Sequence, residues 1–174
     1  MKSNQMKIFL SVIALYVGGT IGLAQAPGLK VKVTKQSLTG KSGDKTETIY
    51  LKVEMENTGQ VAYKDLQVSW FVVLEKEPER AGALPKKTCL SGNKTISLLP
   101  KDTTSFESTQ ASVSKSGVGF YWDPGKKAGW NPKYHGYGLR IVAGGRVISG
   151  EYQPVGNQKT VEEWEIQQAA EKKK

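Results

Sequence analysis

The residues best suited to bind a ligand are concentrated in one segment, positions 120–137. This segment holds seven aromatic residues, counting histidine, within 18 positions. Aromatic faces stack on the apolar faces of sugar rings, and the same residue types dominate the strongest contacts of protein interfaces. A long loop on a rigid scaffold is a common carrier of binding residues. We therefore predict a ligand-binding site formed by Trp122, Asp123, Trp130, Tyr134, His135 and Tyr137.

The same segment also has a purely structural interpretation. Large aromatic side chains usually supply local core area, so Phe120, Trp122 and Trp130 are suited to pack as a cap over one end of the fold. Asp123 precedes a Pro-Gly pair, which makes a turn an alternative role for its carboxylate. Coplanar, exposed tryptophan rings would favour sugar binding, whereas buried rings would favour the cap.

Catalytic and metal chemistry find little support in the sequence. His135 is the only histidine and Cys89 the only cysteine, whereas a zinc site needs three or four ligands. A serine nucleophile would need His135 as its base, and no Gly-x-Ser-x-Gly motif occurs. We therefore expect no enzyme, no metal and no cofactor. The remaining catalytic alternative is a small hydrolase that uses Asp123 with His135.

The first 26 residues have the pattern of a secretory signal peptide. Lys2 and Lys7 precede an apolar run at 8–17, and an Ala-Gln-Ala sequence ends the segment at Ala26. An uncleaved membrane anchor is the alternative, but a Gly-Gly pair interrupts the run short of a spanning length. We expect cleavage after Ala26 and a chain that is secreted or held in the periplasm or cell envelope, with no transmembrane segment left.

The charge of the exported chain limits its partners, and its cysteine content limits its disulfide bonds. The signal carries two of the 25 basic residues and none of the 16 acidic ones, so the mature charge is +7. Because these charges are spread along the chain, they indicate a solvated surface, and we expect no specific nucleic-acid binding. The single cysteine allows no internal disulfide. We predict that Cys89 is a buried thiol on a strand.

Alternating apolar and polar residues predict a series of β-strands. Positions 48–56 and 64–75 show the pattern best, and the second of these also has apolar residues on its other face, as a central strand would. Positions 114–134 lack a period and are predicted to form a long loop. Gly144-Gly145 predicts a hairpin between two later strands. The tail, 159–174, is either a short helix docked by Trp164 or a frayed segment.

Two passages resemble immunoglobulin-like domains of exported bacterial proteins. One strand ends in an Asn57-Thr58-Gly59 turn and the next brings Trp70 inward; the later sequence 96–106 is similar to the leucine-proline turn between two further strands of those domains. The resemblance covers about residues 29–153, but this chain lacks the cysteine pair of antibody-type domains. It implies an all-β, antiparallel immunoglobulin-like β-sandwich of about seven strands, spanning 27–158 and followed by the polar tail.

The function expected from these features is binding without catalysis. Fold alone carries no activity, so the resemblance implies only a class of adhesion, scaffold or binding roles. We expect an exported module of the cell envelope whose partner is another envelope protein. The alternative is a carbohydrate-binding module that uses the aromatic segment 120–137, with a glycan as the partner.

Overall fold

The computed structural model describes residues 26–39, 46–76, 85–114, 120–121, 129–130 and 132–173. Ten strands and one helix lie within these ranges. In chain order they are β1 Leu29–Thr39, β2 Thr46–Asn57, β3 Tyr63–Lys76, β4 Lys86–Leu98, β5 Thr103–Glu107, β6 Ala111–Ser114, β7 Phe120–Tyr121, β8 Gly129–Trp130, β9 Lys133–Ala143, β10 Arg146–Gln153 and α1 Asn157–Glu171.

The first sheet is built around β2, which pairs antiparallel with β1, β5 and β6. Because β1 occupies one edge of β2 over nearly its full length, β5 and β6 lie one after the other along the opposite edge. Ser108 bridges the break between them. Its backbone N–H donates to the Leu51 carbonyl at 2.8 Å, and its buried hydroxyl accepts from the Leu51 N–H at 2.8 Å. Strands β5 and β6 therefore act as one interrupted strand along this edge of β2.

The second sheet has the order β10-β9-β3-β4, and every pairing in it is antiparallel. Gly144 and Gly145 connect β9 to β10 with φ values of 55° and 77°, as a type I′ turn requires. The predicted hairpin is confirmed. A third, two-stranded ribbon pairs β7 with β8. Part of the predicted long loop is thus strand, and β9 begins at Lys133 rather than after Tyr134.

One core lies between the two sheets. The inward residues of β2 are almost completely buried, and the alternating set predicted for β3 joins them in the same cluster. That set is Leu66, Val68, Trp70, Val72 and Leu74. The Trp70 ring lies 5.2 Å from the Phe106 ring of β5, so the two sheets are in direct aromatic contact. The predicted all-β sandwich is confirmed, with eight strands in two antiparallel sheets and one C-terminal helix.

Helix α1 packs on the outer face of the second sheet and buries a second apolar cluster there. Val161 of α1 is fully buried against Phe71, Val73 and Cys89, and Trp164 packs beside them. The helix has no side-chain cap at its N-terminus, and most of the stability of such a helix comes from tertiary packing. Its docking explains why β3 is apolar on both faces. The predicted burial of Cys89 is also confirmed, at 5% exposure.

The predicted signal segment lies outside the described residues, apart from Ala26. In the part of the chain that is described, no helix has the length and apolar character needed to cross a membrane.

Candidate functional site

The residues predicted to bind a ligand are divided by the structure. Trp122 and Asp123 lie outside the described residues, and Trp130 is described only through its backbone, which pairs with that of Phe120. Tyr134, His135 and Tyr137 lie on strand β9 instead of on a loop. The structure therefore places three of the six predicted residues on a central strand of the second sheet.

Tyr134 and Tyr137 both pack into the core between the sheets. Tyr137 lies opposite Val72 and Tyr134 lies opposite Leu74, two of the inward residues of β3. Tyr137 is 8% exposed, and its hydroxyl donates a hydrogen bond to Glu151. Burial raises the pKa of both phenols well above the ordinary value, and the bond to Glu151 adds to the rise for Tyr137. These two rings support the sandwich and do not offer a free face to a sugar.

His135 lies at a β-bulge in the pairing of β9 with β3. Tyr134 pairs with Leu74 and Gly136 pairs with Val73, which leaves His135 as the extra residue of the bulge. Its Nδ1 lies 3.0 Å from Oε2 of Glu75, with both side chains about one quarter exposed. Glu75 is a partner that the sequence pattern did not indicate. Among the described residues, no group of three or more His, Cys, Asp or Glu side chains is arranged to hold a metal ion.

A concave surface that includes one large aromatic side chain lies elsewhere, where the start of β4 passes beside α1. We call it the β4–α1 groove, and its volume is about 520 Å³. The charged and aromatic side chains that line it are Lys86, Lys87, Lys159, Glu163 and Trp164.

The helix wall of this groove is held firmly on the sheet. The Trp164 ring meets Phe71 edge to face at 6.2 Å, an arrangement that aromatic pairs favour. Arg140 of β9 donates through both terminal nitrogens to the Glu165 carboxylate, one bond being 3.0 Å long. This carboxylate raises the pKa of the Arg140 guanidinium. A partner would therefore meet a preformed wall instead of a loose tail.

The electrostatic character of the groove is positive. Lys86, Lys87 and Lys159 contribute three cations, and Lys76 lies directly opposite Lys86 in the β3–β4 ladder. Glu163 is the opposing charge, and its 3.8 Å contact with Lys159 is largely exposed on both sides. Exposed ion pairs of this kind are weak and easily exchanged for a better partner. The groove is thus suited to an anionic partner.

The sheet wall of the groove is an edge strand. β4 pairs with β3 along one side, and no other strand in the described ranges pairs with its outer side. An edge strand presents a row of unpaired backbone N–H and C=O groups, which can accept another chain. Directional backbone donors and acceptors therefore border the cationic groove.

Sequence reasoning did not identify this site. Lys86 and Lys87 are separated from Lys159 and Trp164 by about 70 positions, so only the docking of α1 on the sheet brings them together. The one available signal was the expectation that Trp164 docks a helix, combined with the basic pair before Cys89.

No protein-family model and no curated protein matches this chain.

Proposed function

We propose that this chain is an exported, immunoglobulin-like binding domain without catalytic activity, whose partner is another protein of the cell envelope. The observation that carries the proposal is the β4–α1 groove, where an unpaired strand edge, a cationic lining and a fixed helix wall meet. Main-chain pairing at an open sheet edge, with neighbouring pockets for side chains, is a recurrent mode of polypeptide recognition.

The strand order supports the immunoglobulin-like part of the proposal. One sheet carries β1, β2 and the interrupted β5–β6 strand, and the other has the order β10-β9-β3-β4. Immunoglobulin-type sandwiches place their first, second, fourth and fifth strands in one sheet and their third, sixth and seventh strands in the other, and variable types add strands beside the third. β4 occupies the position of such an added strand. The chain departs from the antibody type because Cys89 has no second cysteine to pair with.

The proposed export rests on the signal pattern of residues 1–26. Fractionation of cells that express a C-terminally tagged chain tests it directly. We expect a processed form, shortened by the signal, outside the cytoplasm. Full-length protein found only in the cytoplasm would contradict export.

Site-specific photocrosslinking tests the binding role. A photoreactive residue replaces Ser91 on β4 or Gln167 on the groove side of α1, and Ser105 on the opposite sheet serves as the matched exposed control. We expect a crosslinked product of defined mass from Gln167 in the groove and from Ser91 further along the open edge of β4, and none from Ser105. Equal crosslinking from all three positions, or from none, would argue against a partner at the groove.

Carbohydrate recognition is a second candidate, supported by one observation. The β7–β8 ribbon brings the backbones of Phe120 and Trp130 directly opposite each other, so two aromatic residues occupy paired positions. A glycan array tests it: binding should occur and should weaken when Trp122 or Trp130 is replaced by alanine. An array with no signal for any glycan would exclude this candidate.

A further inference from the structure

The β4–α1 groove has the features of a site for one kind of partner segment. We propose that it binds an extended, acidic stretch of polypeptide, which adds to the outer edge of β4 as a further strand and lies against α1. This inference rests on the proposed protein-binding function and gives its partner a chemical class.

The dimensions of the groove match a short extended segment. Its lining along α1 runs from Gly156 to Gln167, which at the helical rise spans roughly 16 Å. That length corresponds to about five residues of a β-strand. β4 itself is 13 residues long and therefore extends beyond the groove, so its backbone is long enough to pair with the whole segment.

The backbone of β4 supplies the binding energy that does not depend on partner sequence. Each residue on the open edge that points its N–H and C=O outward can exchange bonds to water for bonds to the added strand. Side chains of the added strand alternate between its two faces, so every second residue would face α1 and the exposed edge of Trp164. Trp164 is half-buried and supplies the apolar surface for such contacts.

The lysines select the charge of the segment. Lys86 and Lys87 lie at the start of β4, and Lys159 faces them from the first turn of α1. Lysines on an edge strand oppose pairing with neutral or basic strands, which protects the free protein from indiscriminate association. Glutamate or aspartate side chains convert this repulsion into attraction. The same lysines therefore exclude wrong partners and select acidic ones.

The other open edges of the sandwich lack this combination. The lysines of β1 are already paired across the strand, Lys30 with Glu56 and Lys32 with Glu54, so that edge has no unbalanced charge. Strand β10 carries one basic and one acidic residue, Arg146 and Glu151, so its edge has no net charge. A groove also lies beside β1, but its two lysines, Lys30 and Lys32, are balanced by Glu54 and Glu56. Of these three edges, β4 is the one bordered by a groove with a net positive charge.

Fluorescence anisotropy with defined peptides tests the proposal on the folded chain that begins at Ala26. The probe is a labelled peptide of about eight residues, long enough to span the groove, in which glutamate alternates with valine. We expect saturable binding that weakens as salt is added, because surface charge interactions are screened. A matched peptide that alternates lysine with valine should bind at least about tenfold more weakly.

Two further probes separate strand addition from simple charge attraction. Two glutamate-valine peptides carry N-methyl groups at every second residue, one at the odd positions and the other at the even positions. Both keep their charge, but neither can pair through its methylated edge. We expect the peptide whose methyl groups point toward β4 to lose binding. The peptide whose methyl groups point away from β4 should retain it. Equal binding by all three acidic peptides would overturn strand addition while leaving acidic binding intact.

Charge reversal locates the site. The double variant Lys86→Glu, Lys159→Glu should reduce the affinity at least about tenfold, and it should fold because glutamate is favourable in the first turn of a helix. The control Lys30→Glu, Lys32→Glu reverses two lysines on β1, the same change in net charge, and should leave the affinity unchanged. Equal loss in both would mean that net charge and not the groove determines binding.

The outcomes distinguish this inference from the function on which it rests. If the acidic peptide does not bind but Ser91 and Gln167 still crosslink to a discrete partner, the inference fails and the protein-binding function stands. If neither experiment gives a signal, both fail. A stable dimer in light scattering, abolished by the double variant and unaffected by peptide, would assign the edge to a second copy and overturn the inference.

Discussion

The side-chain amide of Asn57 donates a hydrogen bond to the backbone carbonyl of Leu99, 3.0 Å away. Asn57 is the last residue of β2, and Leu99 begins the turn between β4 and β5, so one side chain connects the two sheets. The same nitrogen also donates to the Val61 carbonyl at 2.8 Å, and the side-chain Oδ1 of Asn57 accepts from the Gly59 N–H at 3.0 Å. The two turns that suggested an immunoglobulin-like domain are thus joined by a fully buried amide.

Replacing Asn57 with alanine should therefore be strongly destabilising. The change leaves the partly buried carbonyls of Val61 and Leu99 without their donor, and a buried acceptor left unpaired costs about 1–3 kcal/mol. We expect the free energy of unfolding, measured by urea titration, to fall by about 2 kcal/mol or more. Gln60→Ala, an exposed change in the same turn, should have little effect. Similar losses for both variants would show that the amide network is not the cause.

Position 92 has no room for a side chain, because Gly92 lies against the indole ring of Trp70. The two residues are paired across β3 and β4, and a Cβ at position 92 would approach Cζ2 of the ring to 2.3 Å. Because Trp70 is packed against Phe106, its ring cannot move aside without strain in the core. We expect Gly92→Ala to lower the free energy of unfolding by about 1–3 kcal/mol, as overpacking does.

The neighbouring Ser91→Ala variant is the control for this second prediction. Ser91 is exposed on the same strand, so its change should be nearly neutral in the same urea titration. A stability of Gly92→Ala equal to that of the parent would mean that the Trp70 ring has room to shift.

Cys89 should make stability depend on alkaline pH. Burial raises the pKa of its thiol to about 11, above its ordinary value of 9.0. Between these two values the unfolded chain releases the proton and the folded chain keeps it, so stability falls as the pH rises from 9 to 11. The loss attributable to this group should not exceed about 2–3 kcal/mol.

The comparison that isolates this effect uses Cys89→Ala. Both proteins share the tyrosines that titrate in the same range, so their contributions cancel in the difference between the two pH profiles. We expect the parent to lose more stability than the variant between pH 9 and 11. Parallel profiles would show that the folded thiol ionises at its ordinary pKa.

Helix α1 should control chemical access to the same thiol. Val161 is fully buried against Cys89, and truncating it to alanine removes roughly 1.6 kcal/mol of packing at about 0.8 kcal/mol for each methyl group. If α1 must open locally before a thiol reagent can enter, the labelling rate should rise about tenfold. Ile166→Ala, at a helix position that is 70% exposed, should leave the rate unchanged.

The local patterns of this sequence predicted the sandwich well because each strand carries its own information. Alternation in β2 and β3 identified the inward residues, and the second apolar face of β3 indicated a central strand. The turn at Gly144-Gly145 followed from the left-handed backbone that glycine readily adopts. These signals depend on neighbours a few positions apart, so one sequence is sufficient to read them.

The candidate site was not predictable because its residues are far apart in the sequence. Lys86 at the start of β4 and Trp164 in the polar tail become parts of one site only when the helix packs on the sheet. In the aromatic segment, residue type alone did not distinguish rings that face a ligand from rings that fill the core. Tyr134 and Tyr137 belong to the second kind because the register of β9 against β3 turns them inward.

The Ala26 N–H donates to the Ile148 carbonyl, so cleavage after Ala26 leaves the new N-terminus at Pro27 beside β10. The chain enters beside β10, and α1 follows β10 directly, so both routes out of the sandwich start near one edge of the second sheet. β4 is the opposite edge, three strand spacings or about 14 Å away. The new N-terminus and the start of α1 therefore both leave β4 on the far side of the sheet, where an incoming chain can reach it.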